Sequence, residues 1–557
     1  MGGSHHTTLH RTIGRGRVLR KGTVGPYREL EFQDGEPHVI RDDLLGEGRR
    51  RPPVGDRRTL LCIGHVTDFQ IGDVQSPARF EFFNREGDDP RFAALLPVQR
   101  PQEALTAHAV DAVVRTLNGL DGSPVTGAPL SLVVTTGDVI DNAQWNEMQM
   151  FLALLEGGRV RPDSGGPGYQ GVQSRDWPDR IYWQPEGDGT HGPDLWCEWY
   201  GFPHHPGLLR AATAEFDAPG LELPWLACFG NHEALTQGVG ALTRSVLEYL
   251  VGGRKPVDLP PGVERDHALD LFTEHPEAFL SGHQLPVTPD VERRGITRAE
   301  FVAEHFRTGG RPYGHGFTRD NLREGTAYYT YDDPESGVRM IALDTNCLAG
   351  GADGCLDAEQ GRWLEQRLIE AHSRYRRADG DEARTPHEDH PVIILSHHGP
   401  DTLVNRRGLA GDSSGPLPLV EPQALLALLH RFPNVVLWLN GHRHFNMVRP
   451  RPDPTGFGHG FWEVTTCAVM DWPCQARLVE LVDNRDGALS VLCTMVDHDT
   501  PARPDPADGR TWLPSLHREI AANVPWGVPL AGTPGDRNVD LLLPFPGTKG
   551  RSARNDS

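Results

Sequence analysis

No apolar run in the 557 residues approaches the roughly 20 needed to cross a bilayer; Thr59–Ile63 and Val435–Leu439, among the longest, are short β-like stretches. A membrane span is therefore not expected. The eight cysteines are scattered at 62, 197, 228, 347, 355, 467, 474 and 493 without a C-x-x-C pair, which argues against a zinc ribbon and suggests no disulfide framework. The 63 glycines follow no Gly-x-y period, and with 47 prolines they indicate many loops rather than collagen or general disorder. Positive charge is short: 55 basic against 76 acidic side chains leave a net charge of −21, and only three residues are lysine (Lys21, Lys255, Lys549). Such a surface repels polyphosphate, which argues against long nucleic acids and anionic membranes as partners, whereas a local positive site built by metals survives the argument. The Arg-rich patches at 49–51 and 57–58 lead into Pro-Pro-Val and a strand-like run, not into the apolar core of an export signal, so a cytoplasmic location is expected.

Residues 1–58 are Gly-, Arg- and Pro-rich without a sustained period and are expected as an N-terminal extension. From Thr59 short β-like runs alternate with helical patterns, the signature of an α/β fold. Helices are predicted over 103–120, 145–156, 358–374 (with Asp357 as N-cap) and 422–431, and a β-hairpin over 328–343. The stretches 157–223 and 240–325 break this rhythm and are expected to be insertions forming a lid or cap. Residues 501–557 are expected to be a polar C-terminal tail.

Five β-like runs each end in metal-capable residues: Asp68-Phe-Gln70, Gly137-Asp138-Val-Ile-Asp141, Gly230-Asn231-His232-Glu233, His397-His398 and Gly441-His442-Arg-His444. In an α/β sheet the ligand crevice lies beyond the carboxyl ends of strands, so clusters spread over almost four hundred residues can converge. Carboxylate, amide and imidazole donors without thiolate suit Mn, Fe or Zn and argue against a structural zinc.

This order of motifs, with Phe461–Thr466 and Asp471–Arg477 beyond it, resembles the calcineurin-like metallophosphoesterases over about residues 59–500. The resemblance implies a four-layer α/β/β/α sandwich, and a binuclear centre at which a metal-bound hydroxide attacks a small-molecule phosphate mono- or diester. It implies that Asp138 bridges two divalent ions. Asp68, Gln70 and His444 would complete one site, and Asn231, His397 and His442 the other. His232 would be the catalytic acid or electrostatic histidine, and Asp141 the carboxylate that orients it. His398, beside His397, is left open between touching substrate and supporting or packing against its neighbours. Gln70 stands where the family usually has histidine; a harder, uncharged donor favours Mn at that site. An alternative is therefore a binding or regulatory protein of this fold with weakened catalysis. His65, three residues before Asp68, points to the other face of its strand and does not replace the missing imidazole. Neither composition nor motifs indicate an oligomeric state.

Overall fold

A computed structural model describes residues 6–45, 57–307, 309–407 and 419–546; the Arg patch at 49–51 lies outside them. Two mixed sheets organise the chain. Their strands, in chain order, are β1 (Val39–Arg41), β2 (Arg58–Val66), β3 (Leu132–Thr135), β4 (Trp225–Ala227), β5 (Tyr329–Asp332), β6 (Arg339–Ala342), β7 (Val392–Leu395), β8 (Val435–Asn440), β9 (Met447–Arg451), β10 (Phe461–Thr465), β11 (Ala476–Asp483), β12 (Ala488–Val496) and β13 (Val539–Pro544). The seven-stranded sheet has the order β1-β13-β12-β11-β2-β3-β4 and the six-stranded sheet β5-β6-β7-β8-β10-β9. In the first, β2, β3 and β4 pair in parallel; in the second, β6, β7, β8 and β10 do. Parallel strands buried on both faces explain the continuous apolar runs Val392–Leu395 and Val435–Leu439.

Side chains alternate across the six-stranded sheet with period two. Met340, Ala342, Ile393, Leu395, Leu437 and Leu439 share one core with Ile63, Val133, Val479 and Val491 of the other sheet. Ile341, Val392, Ile394 and Trp438 belong to a second core, completed by Leu364 and Leu368 of one helix and Leu425 and Leu429 of another. The principal helices are α1 (Thr106–Asn118), α2 (Trp145–Glu156), α3 (Ala358–Ile369), α4 (Pro422–His430) and α5 (Trp512–Asn523). Asp357 caps α3 as expected, accepting from the Gln360 N–H at 2.8 Å. The helix stops short of Arg374, because Arg374–Arg376 pairs with Glu382–Arg384 in a small hairpin. No helix among the described residues is long and apolar enough to cross a membrane.

The two ends differ from expectation. The N-terminal stretch forms an antiparallel hairpin, Arg11–Lys21 with Pro26–Asp34, and contributes β1 beside β13. Register shifts between Arg15 and Val18 and again before Arg20 break the period-two pattern that would have announced these strands. Within the expected tail, α5 buries Leu513, Leu516, Ile520 and Val524, a helical spacing that the Pro- and Asp-rich flanks obscure. Tyr27 of the hairpin donates its hydroxyl to Glu519 Oε1 at 3.0 Å, and Asn523 bonds the Arg28 backbone, so the two termini pack on each other.

Candidate metal centre

Each motif occupies the residues just beyond a strand, where the chain reverses. Asp68, Gln70, Asp138, His442 and His444 have φ of 52°, 45°, 52°, 67° and 57°, a left-handed conformation that costs a non-glycine residue about 1–3 kcal/mol. Surrounding bonds must over-determine it. Asp68 N–H donates to the Gly137 carbonyl at 3.1 Å and Gln70 N–H to the Asp138 carbonyl at 2.9 Å. The buried Glu233 carboxylate accepts the N–H groups of Gly230 (2.6 Å), Asp138 (2.9 Å), Val139 (2.6 Å) and Ile140 (3.1 Å), tying two motif loops together. Glu147 in the first turn of α2 does the same for Asp73, Asp141 and Asn142. The loops approach so closely that a Cβ on Gly230 would sit 2.2 Å from Asp138 Oδ1; only glycine fits there.

On this frame the side chains of both sheets meet. Asp138 Oδ1 accepts the His232 N–H at 2.9 Å, and its Oδ2 lies 3.0 Å from His397 Nε2. Asp68 Oδ2 accepts from the Thr67 hydroxyl and the His442 N–H, and its Oδ1 is 3.4 Å from His444 Nε2. His397 Nδ1 bonds the Thr136 carbonyl at 2.8 Å and His444 Nδ1 the Asp471 carboxylate at 2.7 Å; in each ring this directs Nε2 inward, as an outer partner does for a metal-binding histidine. His232 Nδ1 bonds the Asp141 carbonyl at 2.7 Å and lies 3.5 Å from that residue's carboxylate.

Burial alone would neutralise these groups, but their neighbours win. Asp138 beside His397, and Asp68 with Asp471 beside His444, raise both imidazoles to about 9. Against the same burial, His397 and His232 hold the Asp138 carboxyl well below the usual carboxylate range. Arg100 and His444 hold Asp471 down to about 2. Two carboxylates, Asp138 and Asp471, are thus kept ionised where an apolar interior would not tolerate them unpaired.

The donor set fits metal ions on one further observation. Gln70 Oε1, Asn231 Oδ1 and His442 Nδ1 are buried without a hydrogen-bond partner, whereas Asp68 Oδ1 and His397 Nε2 have only the ion-pair contacts given above. Each such orphan costs about 1–3 kcal/mol, and every one belongs to a residue expected as a ligand. The donor atoms of Asp68, Asp138 and His397 lie within 4.8 Å of one another, as do those of His397, His398 and His442. His398 is otherwise engaged: its Nδ1 bonds Thr345 Oγ1 at 2.9 Å and its Nε2 the Ala352 carbonyl at 2.8 Å. Fully buried, it supports its neighbours and offers no nitrogen to a substrate. His65 bonds Thr136 and Thr466 with its two nitrogens and faces away from the centre. Gln70 turns its amide toward the centre, with Nε2 at 3.0 Å from His232 Nε2 and 3.3 Å from His444 Nε2.

Gln70, Asp138, Asp141, Asn231, His232, His442 and His444 line a cavity of ≈ 140 Å³ roofed by Leu95–Val98 and Arg100. Among the described residues, none of 157–223 or 240–325 lines this cavity. The second insertion acts from behind instead: its Val246, Leu250, Phe272 and Phe279 pack with Phe80, Phe83, Phe92 and Leu95, supporting the roof. Sequence reasoning assigned no role to Glu233, Glu147, Asp471, Arg100 or Arg79, the last a buried guanidinium 3.3 Å from Asp141 and 2.9 Å from Glu103. Glu233 and Asp471 lie within the recognised motif stretches; Glu147, Arg79 and Arg100 carry no sequence signal.

No family model matches the chain. Over 116 residues it is 30% identical to the glycerophosphodiester phosphodiesterase GpdQ of Enterobacter lignolyticus, a match covering 21% of this chain and 33% of that enzyme. The chain thus spans about a third of the length of this curated relative. A crystal structure of a dimetal phosphatase from Danio rerio aligns with 79% of this chain and 100% of its own at 11% identity and a TM-score of 0.36, too distant to bear on fold or chemistry.

Proposed function

We propose that this chain, a member of the calcineurin-like metallophosphoesterase superfamily, is a metal-dependent hydrolase of a small phosphate mono- or diester. The observation that carries the reading is the convergence of three orphaned buried donor atoms, Gln70 Oε1, Asn231 Oδ1 and His442 Nδ1, on one cavity. It favours a working centre over the weakened binding module, since Gln70 presents its amide to the same space as His444. The two sheets with their shared core are read as the inner layers of an α/β/β/α sandwich. Asp68, Gln70 and His444 would hold one divalent ion and Asn231, His397 and His442 the other, with Asp138 shared. Mn, Fe or Zn suits the mixture, and Mn the Gln70 side. When bound, such ions would activate a water and neutralise phosphoryl oxygens.

The chain's own groups do the rest. His232, on the cavity wall with Nδ1 bonded to the Asp141 carbonyl, would turn Nε2 to the substrate as the group that protonates a leaving alkoxide; its position on the wall supports this reading. Arg79 pins the outer oxygen of Asp141. Arg100, 3.2 Å from Asp471, adds positive charge at the roof. The matched relative is named for a diester, and a diester is placed first here. A cytoplasmic small molecule is the substrate class the acidic surface and narrow cavity suit. His232→Ala is expected to lower kcat on aryl phosphate esters by about 10²–10⁴-fold while metal content, measured by elemental analysis, stays unchanged. Parallel loss of metal and turnover would instead make His232 a ligand.

A further inference from the structure

The first insertion carries a second convergence of metal-capable side chains, none of them on the cavity described above. Asp194 caps the short helix Leu195–Tyr200, its Oδ1 accepting the Cys197 N–H at 2.8 Å. Its Oδ2 accepts the Gln184 N–H at 3.1 Å and lies 3.2 Å from Cys197 Sγ. That sulfur is 3.3 Å from His204 Nε2, and the same nitrogen is 3.6 Å from Asp188 Oδ1. Ligand atoms of Asp194, Cys197 and His204 all fall within 4.8 Å of one another.

We propose that Asp194, Cys197 and His204 bind one structural zinc-class ion, separate from the catalytic centre, with the fourth position taken by water or by the exposed Asp188 carboxylate, 3.6 Å from His204 Nε2. The spacings decide for this over an ordinary cap. Zinc bonds of about 2.3 Å to sulfur and 2.0–2.2 Å to nitrogen or oxygen, at tetrahedral angles, place neighbouring donors roughly 3.3–3.6 Å apart. The S···O and S···N separations of 3.2 and 3.3 Å fall about 0.2–0.4 Å short of the roughly 3.5–3.6 Å expected for the sulfur-containing pairs, a gap that small side-chain rotations close. One sulfur, one imidazole nitrogen and one carboxylate oxygen suit a borderline-soft ion. Burial and the adjoining Asp194 hold the Cys197 thiol protonated in the absence of a cation. On binding, the sulfur–metal bond forms as the S–H proton leaves to solvent, with no redox change.

The ion would fasten a segment that has little regular structure. Trp196 and Phe202, inside the ligand span, pack with Tyr27 of the N-terminal hairpin, Trp183 and Leu516 of α5. Fixing 194–204 therefore fixes the seat of both chain ends.

Cobalt tests this, because the proposed catalytic ligands include no thiolate. Chelator-treated full-length protein titrated with Co²⁺ should develop a near-ultraviolet thiolate-to-cobalt charge-transfer band that saturates at one ion per chain and is displaced by Zn²⁺. Cys197→Ser should lose the band and keep phosphoester turnover. No band in the wild type at Co²⁺ saturation, or a band that survives Cys197→Ser, would overturn the proposal. Should that variant fail to fold, alkylation of Cys197 in the wild type, mapped by peptide mass, serves instead. Zn²⁺ should protect the thiol, and unchanged labelling would count against the site.

Discussion

Asp138→Asn should lose turnover by about 10³-fold or more, equivalent to several kcal/mol of charge stabilisation, while the protein still folds. The carboxylate faces His397 through one oxygen and the His232 backbone through the other, and in the proposed centre it is the one group that both ions share. An amide of the same shape keeps an acceptor for the His232 N–H but gives up the charge that stabilises His397 as a cation. Loss should appear in kcat/KM for aryl esters and in the number of ions retained, with a lower thermal midpoint, because folded-state ions and the partner of buried His397 are given up together. Unchanged turnover in this variant would contradict the assignment of the centre.

Glu233→Ala is expected to be the most damaging substitution for stability. It removes the acceptor for four backbone N–H groups at once, in a site without exposure. At about 1–3 kcal/mol for each unsatisfied buried group, and allowing for partial relaxation, a loss of about 4 kcal/mol is expected. That is a large share of the roughly 5–15 kcal/mol that separates a typical domain from its unfolded chain. Chemical denaturation should show a lower midpoint, and Glu233→Gln, which retains one oxygen, should fall between. A midpoint within error of wild type would mean that the two motif loops are held by other bonds.

The contrast between these two residues shows what sequence can reveal. Asp138 is legible because its motif follows a short apolar strand, whose end allows it to reach the other motifs, and because the resemblance assigns it a place beside His397. Glu233 belongs to an equally visible motif, yet its role depends on four N–H groups that become neighbours only when Gly137 and Gly230 bring two loops together. Asp471 is similar: it lies 27 residues after the histidine whose ring it orients, and no local pattern announces that bond. The sequence leaves His398 open between a substrate contact and a supporting role, and its bonds to Thr345 and Ala352 favour the second. The cavity roof at 95–98 was hidden because its support comes from aromatic packing between Phe83 and Phe272, a pairing without a sequence period. Strands 11–21 and 26–34 were hidden by bulges, and α5 by its flanks.

Metal removal tests the central claim most directly. The chain, carrying Cys197→Ser so that the sulfur site does not contribute, would be stripped with chelator and reconstituted with Mn²⁺. Turnover of an aryl phosphate monoester and diester would be followed against bound metal. The account predicts no hydrolysis by the stripped protein, and full hydrolysis of at least one ester when two ions are bound per chain. Hydrolysis that survives chelation, or none of either ester with both ions bound, would contradict it.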